Sequence, residues 1–217
     1  MKPALPLDFH YYALKAQAVL LLALGRRHGA LRRFGLMLGR RPGDRYALAS
    51  QAHVQVQLHC LDAAIASLRQ LTRVKGSAQQ EAAAWFNLGY VLQQAGRHDE
   101  AGLAFRSALA LEPALDRAWY GLALVLIHQR QFLESVQALK RNTALQPMSP
   151  YGWYRLAQVW LALGQPEKAR TIIAHLRRFE PRVAAQLERE NGLESPPGSP
   201  GSPVPLVAVS AGHHAAH

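Results

Sequence analysis

Residues 82–113 read AAAWFNLGYVLQQAGRHDEAGLAFRSALALEP. Two helical stretches flank Gly96, and Pro113 closes the unit. Trp85 recurs as Trp119 and again as Trp153, each 34 residues after the last. The same offset aligns Phe86 with Tyr120 and Tyr154, Leu88 with Leu122 and Leu156, and Pro113 with Pro147 and Pro181. Small residues recur in two sets, Gly89, Ala123 and Ala157, then Ala101, Ser135 and Ala169. Each set falls where the helices of a hairpin must approach closely. A period of this length is the mark of a stacked repeat architecture, so the units 82–115, 116–149 and 150–183 are each expected to form two helices joined by a short turn. Gly96 and Gly164 sit where the first helix should end in a left-handed conformation, which glycine adopts at little cost, and Arg130 fills the equivalent place in the middle unit.

The frame extends towards the N-terminus. In 11–44, Ala18, Gly25, Ala30, Phe34 and Pro42 stand at the sites of the small residue, turn glycine, second small residue, large apolar residue and closing proline. The unit 45–78 keeps Ala52, Ala64, Leu68 and Leu71 but has neither the tryptophan nor the proline, and Gly76 takes the closing position. A three-residue insertion, Gln79 to Glu81, separates it from the next unit. Residues 1–10 read as a lead-in. The stretch 183–191 reads as an amphipathic capping helix ending at Gly192. Residues 192–217, rich in proline, glycine and serine at Ser195–Pro205, are too poor in buriable surface to offset their ordering entropy and read as a disordered tail.

Trp85, Leu88, Gly89, Leu92, Ala101, Phe105, Ala108 and Pro113 follow the pattern of the tetratricopeptide repeat family, which the sequence resembles over about four fifths of its length if the two degenerate units are included. The resemblance implies an all-α superhelical solenoid of five helical hairpins with a concave face lined by the first helix of each. Independently, a lone hairpin cannot bury its apolar stripe, whereas stacking covers it. A buried aromatic removes about 150–250 Å² from water, roughly 5 kcal/mol of gross transfer energy. Trp85, Trp119 and Trp153 are therefore expected in the core.

The resemblance also places a partner segment along the groove. The positions that would line it are Phe86, Tyr90, Gln93, Gln94, Arg117, Tyr120, Leu124, Ile127, His128, Tyr151, Tyr154, Gln158 and Leu161, with Lys15, Val19, Leu22, Tyr46, His53, Val56 and Gln57 from the degenerate units. Phe86, Tyr120 and Tyr154 would form an aromatic ladder suited to an apolar or amphipathic segment; the alternative is that the rings pack between adjacent first helices. The carboxylate clamp of some family members is not matched, because Val19 and Ser50 stand where asparagine is wanted beside Lys15.

The chain of 217 residues carries 25 basic and 14 acidic side chains, and residues 1–80 hold 12 of the former against 3 of the latter. Arg26, Arg27, Arg32, Arg33, Arg40, Arg41 and Arg45 crowd one region with Asp44 the only nearby acid. Such a patch favours an acidic protein, an anionic membrane surface or nucleic acid, although no sequence-reading nucleic-acid module accompanies it. Cys60 is the only cysteine, so neither an intrachain disulfide nor a multi-cysteine zinc site can form, and it is expected as a small buried hydrophobe. The apolar run Val19–Leu24 is far shorter than the roughly 20 residues that span a bilayer, and Arg26 and Arg27 follow it at once, which points to a cytoplasmic chain without a cleaved signal. The ratio of 20 Arg to 5 Lys is compatible with a GC-rich bacterial source.

No phosphate loop, nucleophile elbow or paired metal-binding histidines are present, so neither catalysis nor a cofactor is implied. His213, His214 and His217 could share a metal only from a helical tail. The reading that follows is a non-enzymatic scaffold or adaptor holding a protein segment in its groove. An assembly or secretion-type chaperone for one client, and a peripheral membrane or nucleic-acid adaptor acting through the arginines, are the alternatives.

Overall fold

A computed structural model describes residues 7–193. The tail expected beyond Leu193, with His213, His214 and His217, lies outside the described residues. The described residues form eleven α-helices and no strand: α1 (Leu7–Ala23), α2 (Arg27–Arg40), α3 (Arg45–Gln57), α4 (Leu61–Arg73), α5 (Ala78–Gln94), α6 (His98–Leu111), α7 (Asp116–His128), α8 (Phe132–Leu145), α9 (Pro150–Ala162), α10 (Pro166–Leu176) and α11 (Pro181–Asn191). Each helix packs mainly on its neighbours in the chain, and α5 also touches α7, as α9 touches α11. The result is a solenoid in which five antiparallel pairs stack in sequence order and α11 covers the last.

Close approach within each pair rests on small side chains. Ala30, Ala64, Ala101, Ser135 and Ala169, at equivalent positions of α2, α4, α6, α8 and α10, are all fully buried. Ala18, Ala52, Ala123 and Ala157 are nearly or fully buried on the facing first helices, and Gly89 completes the set. The pair turns are equally regular. The amides of Arg26, Cys60, Arg97, Gln131 and Gln165 each donate to the carbonyl five residues earlier, closing the first helix with a six-to-one bond. The residue before each donor is left-handed: Gly25 (φ 70°), His59 (59°), Gly96 (74°), Arg130 (58°) and Gly164 (68°). The turn geometry is thus imposed by the repeat even where glycine is absent.

Three expectations need correction. Trp85, Trp119 and Trp153 are half-buried against the core, not within it. An indole needs an acceptor, and at the rim Trp119 and Trp153 donate to the carbonyls of Pro113 (2.9 Å) and Pro147 (2.8 Å), pinning the linker that precedes their own helix. Trp160, which occupies a leucine position of the two preceding units, is the buried tryptophan. Cys60 is exposed, because it follows left-handed His59 in the turn, and its thiol reaches only the carbonyl of Leu58. The lead-in is shorter than 1–10, since α1 begins at Leu7.

The insertion Gln79–Glu81 lies in an extra N-terminal turn of α5. Ser77 caps it with a reciprocal bond to Gln80, and the Arg45 guanidinium bridges this joint by donating to the carbonyls of Val74 and of Gln80 (2.8 Å). The degenerate second hairpin carries a buried hydrogen bond in place of an apolar contact, Ser67 Oγ to Gln55 Oε1 at 2.9 Å. A separate apolar cluster, built on Phe34, Met37, Ala47 and Val54, holds α1, α2 and α3, while the main core runs from α3 to α11.

Phe105 of α6 is fully buried in a slot between α5 and α7 that exists only because Gly89 and Gly121 lack side chains. A Cβ at Gly89 would stand 2.8 Å from its ring, and one at Gly121 only 2.5 Å. Gly121→Ala should lower stability by about 1–3 kcal/mol in denaturant unfolding. Arg130→Gly should raise it by roughly 1 kcal/mol by removing the penalty of a left-handed arginine.

Candidate functional site

The first helices α5, α7 and α9 form one face, and between them lies a hollow of about 400 Å³. Of the thirteen groove positions named in the three clear units, Phe86, Tyr90, Gln93, Arg117, Tyr120, Leu124 and Tyr151 line it. Tyr90 and Tyr151 are largely exposed (50% and 70%), whereas Phe86 and Tyr120 are half-buried with one side on the core. Phe86 and Tyr120 thus pack inward on one side and line the hollow on the other.

Geometry around Phe86 is well constrained. Its ring lies 6.0 Å from Phe105 and 6.5 Å from Tyr90, centroid to centroid, and the Arg117 guanidinium covers it at 4.9 Å. An arginine held on an aromatic face keeps its charge at the mouth of the hollow without burying it. Tyr90 also lines a smaller hollow of about 200 Å³ with His53, Val56 and Asn87, so the lined surface continues onto α3.

The remaining candidates lie elsewhere. Tyr154 is taken up by the cap: its hydroxyl donates to a Glu190 carboxylate oxygen of α11 at 2.6 Å, so the third rung is separated from Phe86 and Tyr120. Gln158 accepts from Arg155 at 2.9 Å, Ile127 and Leu161 pack against the core, and Gln94 is exposed at the end of α5. His128 stacks on His98 with ring centroids 3.7 Å apart. Lys15 lies over the Tyr46 ring at 4.1 Å, Leu22 packs on the N-terminal cluster, Val19 is exposed, and Gln57 bonds His53 and Arg27.

Several lining residues escaped the sequence reading. Phe105, Asp116, Gly121, Asn142, Gln146 and Ser149 all border the hollow, yet four of them sit on second helices or in linkers. The amide of Asn142 donates to the carbonyl of Asp116 at 3.0 Å, closing one wall. Glycine at 121 was the available signal, because nothing else in the period calls for an absent side chain there.

The arginines do not form one surface. Arg26, Arg27 and Arg32 border a hollow of about 510 Å³ at the first turn, with His28. Arg33 is half-buried, Arg40 reaches back to the Leu36 carbonyl, and Arg41 lies over the Tyr11 ring at 4.5 Å, at the far end of α2. Among the described residues no cluster of three or more His, Cys, Asp or Glu is placed to hold a metal, and no helix is long and apolar enough to cross a membrane.

Half-buried tryptophans pinned to interhelical linkers, small residues at each helix contact and five equivalent turns all follow one repeat, and the family model described as tetratricopeptide repeat matches residues 49–116 and 120–181, more than half of the chain. The chain belongs to the tetratricopeptide repeat family. No curated protein sequence matches it significantly. Among solved structures, the array resembles a crystal structure of MamA protein at 16% identity and a TM-score of 0.72, covering 89% of this chain and all of the other. It resembles MamA 41-end from Desulfovibrio magneticus RS-1 at 18% and 0.69, covering 83% and 96% of the two chains. A third likeness is to YrrB, described as a tetratricopeptide repeat protein with an unusual peptide-binding site, at 17% and 0.68, covering 79% and 88%. At such identities the likeness is one of fold.

The bond that ties the array to its cap titrates. The hydrogen bond from Tyr154, followed by that from Gln186, holds the Glu190 carboxyl below its ordinary value, and the same bond is the main cause raising the Tyr154 phenol. A depressed carboxyl stabilises the fold above the ordinary carboxylate range and loses that contribution as pH falls through its folded value. Wild type should therefore melt above Glu190→Gln at neutral pH, with the difference vanishing at pH well below the carboxylate range in parallel thermal scans.

Proposed function

We propose that this tetratricopeptide repeat array is a non-enzymatic scaffold that holds an apolar or amphipathic partner segment in the hollow between α5, α7 and α9. The observation that carries this reading is the joint lining by Phe86, Tyr90, Tyr120 and Leu124, with Gln93, Asp116 and Gln146 at the polar margin. Aromatic side chains bury large areas while freezing few torsions, and the margin supplies donors and acceptors for a bound backbone. The likeness to YrrB, a protein described as having a peptide-binding site, supports a peptide as the kind of occupant.

Recognition on this surface is chiefly apolar, with the Arg117 charge laid over a ring. Its affinity should thus change little with salt. A second reading has its own observation: Arg26, Arg27, Arg32 and His28 converge on one hollow at the first turn, a setting for an anionic group whose binding would weaken as salt rises. The two readings separate in one experiment.

The test is affinity capture from the native lysate at low and high salt, followed by peptide mapping of the retained protein and titration of the mapped segment. Phe86→Ala with Tyr120→Ala should weaken the segment by at least about tenfold, or roughly 1.4 kcal/mol, at either salt. Binding that survives this pair but disappears at high salt and on charge reversal of Arg26 and Arg32 would sink the groove reading in favour of the arginine hollow.

A further inference from the structure

A further cavity, of about 610 Å³, opens between α8, α9 and α10, away from the residues of the groove. Its walls are apolar and aromatic: Trp153, Leu156, Trp160 and Ile172, with Lys140 and Lys168 beside them. Both ammonium groups lie on one ring, Lys168 Nζ at 4.1 Å and Lys140 Nζ at 5.9 Å from the Trp160 centroid. Neither has a carboxylate partner among the described residues, and Glu167, the acid next in sequence, is taken by Arg170.

The repeat shows what the site lacks. One period earlier Lys140 corresponds to Arg106 and Lys168 to Glu134; one further back, across the insertion, they correspond to Arg69 and Glu100. In both earlier junctions the two positions are ion-paired, Arg69 with Glu100, and Arg106 with Glu134 at 3.7 Å. The Glu100 carboxyl is held below its ordinary value by Arg97 first and by Arg69 as well, so this junction favours the ionised acid. The third junction has a cation at both positions. Trp160 replaces Leu92 and Leu126 there, so the lost pair coincides with a gained aromatic wall.

We propose that the cavity between α8, α9 and α10 binds an acidic segment of a partner protein in which Glu or Asp adjoins a large apolar residue. The carboxylate takes the place that Glu134 fills beside Arg106, joining Lys140 and Lys168, while the apolar side chain lies against Trp153 and Trp160. A protein-borne carboxylate is favoured over a free one because a glutamate side chain is what this position receives in the two earlier junctions. The volume falls in the range of small-ligand pockets, enough for two side chains.

The full chain is titrated by tryptophan fluorescence with the blocked peptide Ac-Glu-Phe-Glu-Leu-NH2, its glutamine counterpart Ac-Gln-Phe-Gln-Leu-NH2, and sodium octanoate, each to about 1 mM. The acidic peptide should give a saturable change, with the glutamine peptide at least about tenfold weaker. Lys168→Glu, which restores the charge pattern of the earlier junctions and so should leave the circular dichroism and melting temperature intact, should abolish binding. Trp160→Leu, with the residue found at the two preceding positions, should weaken it at least about tenfold. Equal binding of the two peptides, unchanged binding by Lys168→Glu, or no saturable change with any probe would each overturn the proposal. Binding of octanoate without the acidic peptide would overturn the assignment to a protein segment.

Discussion

The array depends on how closely the two helices of each hairpin can approach. Alanine or serine at 30, 64, 101, 135 and 169 has no exposed surface, and each faces a small residue on the first helix. With that spacing fixed, the rest of the hairpin has little freedom. The turn must then cross in few residues, and the same six-to-one bond and left-handed residue appear five times, even at His59 and Arg130 where glycine would relieve the backbone. Stacking of one hairpin on the next then buries what each leaves uncovered, which is why the core runs continuously from α3 to α11.

Within this regular frame, the hollow on the first-helix face is made by departures from the period. Gly121 stands where the neighbouring units carry Asn87 and Arg155, and its missing side chain lets the Phe105 ring reach α7. The ring supports Phe86, which in turn carries Arg117, so a buried residue of a second helix shapes a hollow on the face of the first helices. Tyr154 departs in the other direction. After the fifth hairpin the described residues continue as α11, which engages the hydroxyl through Glu190.

The Arg–Glu pairs of the second-helix face make the same point for charge. Exposed pairs of this kind contribute little to stability individually. Their value here is as a register: two consecutive junctions satisfy both positions internally, and the third presents two lysines over a buried tryptophan. Such a break in a repeating interaction is visible only when structure and period are compared position by position.

The sequence by itself determined the family, the helical hairpins and the positions of close helix contact, because these follow from a 34-residue period in residue size and polarity, which is local information repeated. Phe86, Tyr90, Gln93, Tyr120 and Leu124 were legible as neighbours for the same reason: equivalent positions on adjacent first helices must lie side by side. Tertiary structure decided what no period encodes. It placed the Trp119 and Trp153 rings at the rim, where their N–H groups find proline carbonyls, and left Cys60 exposed in a turn. It also scattered the arginines to both ends of α2, and brought Asn142 and Asp116, 26 residues apart, into one wall. Each of these depends on the direction a side chain takes and on which element is packed against it, and both are set by the stack as a whole.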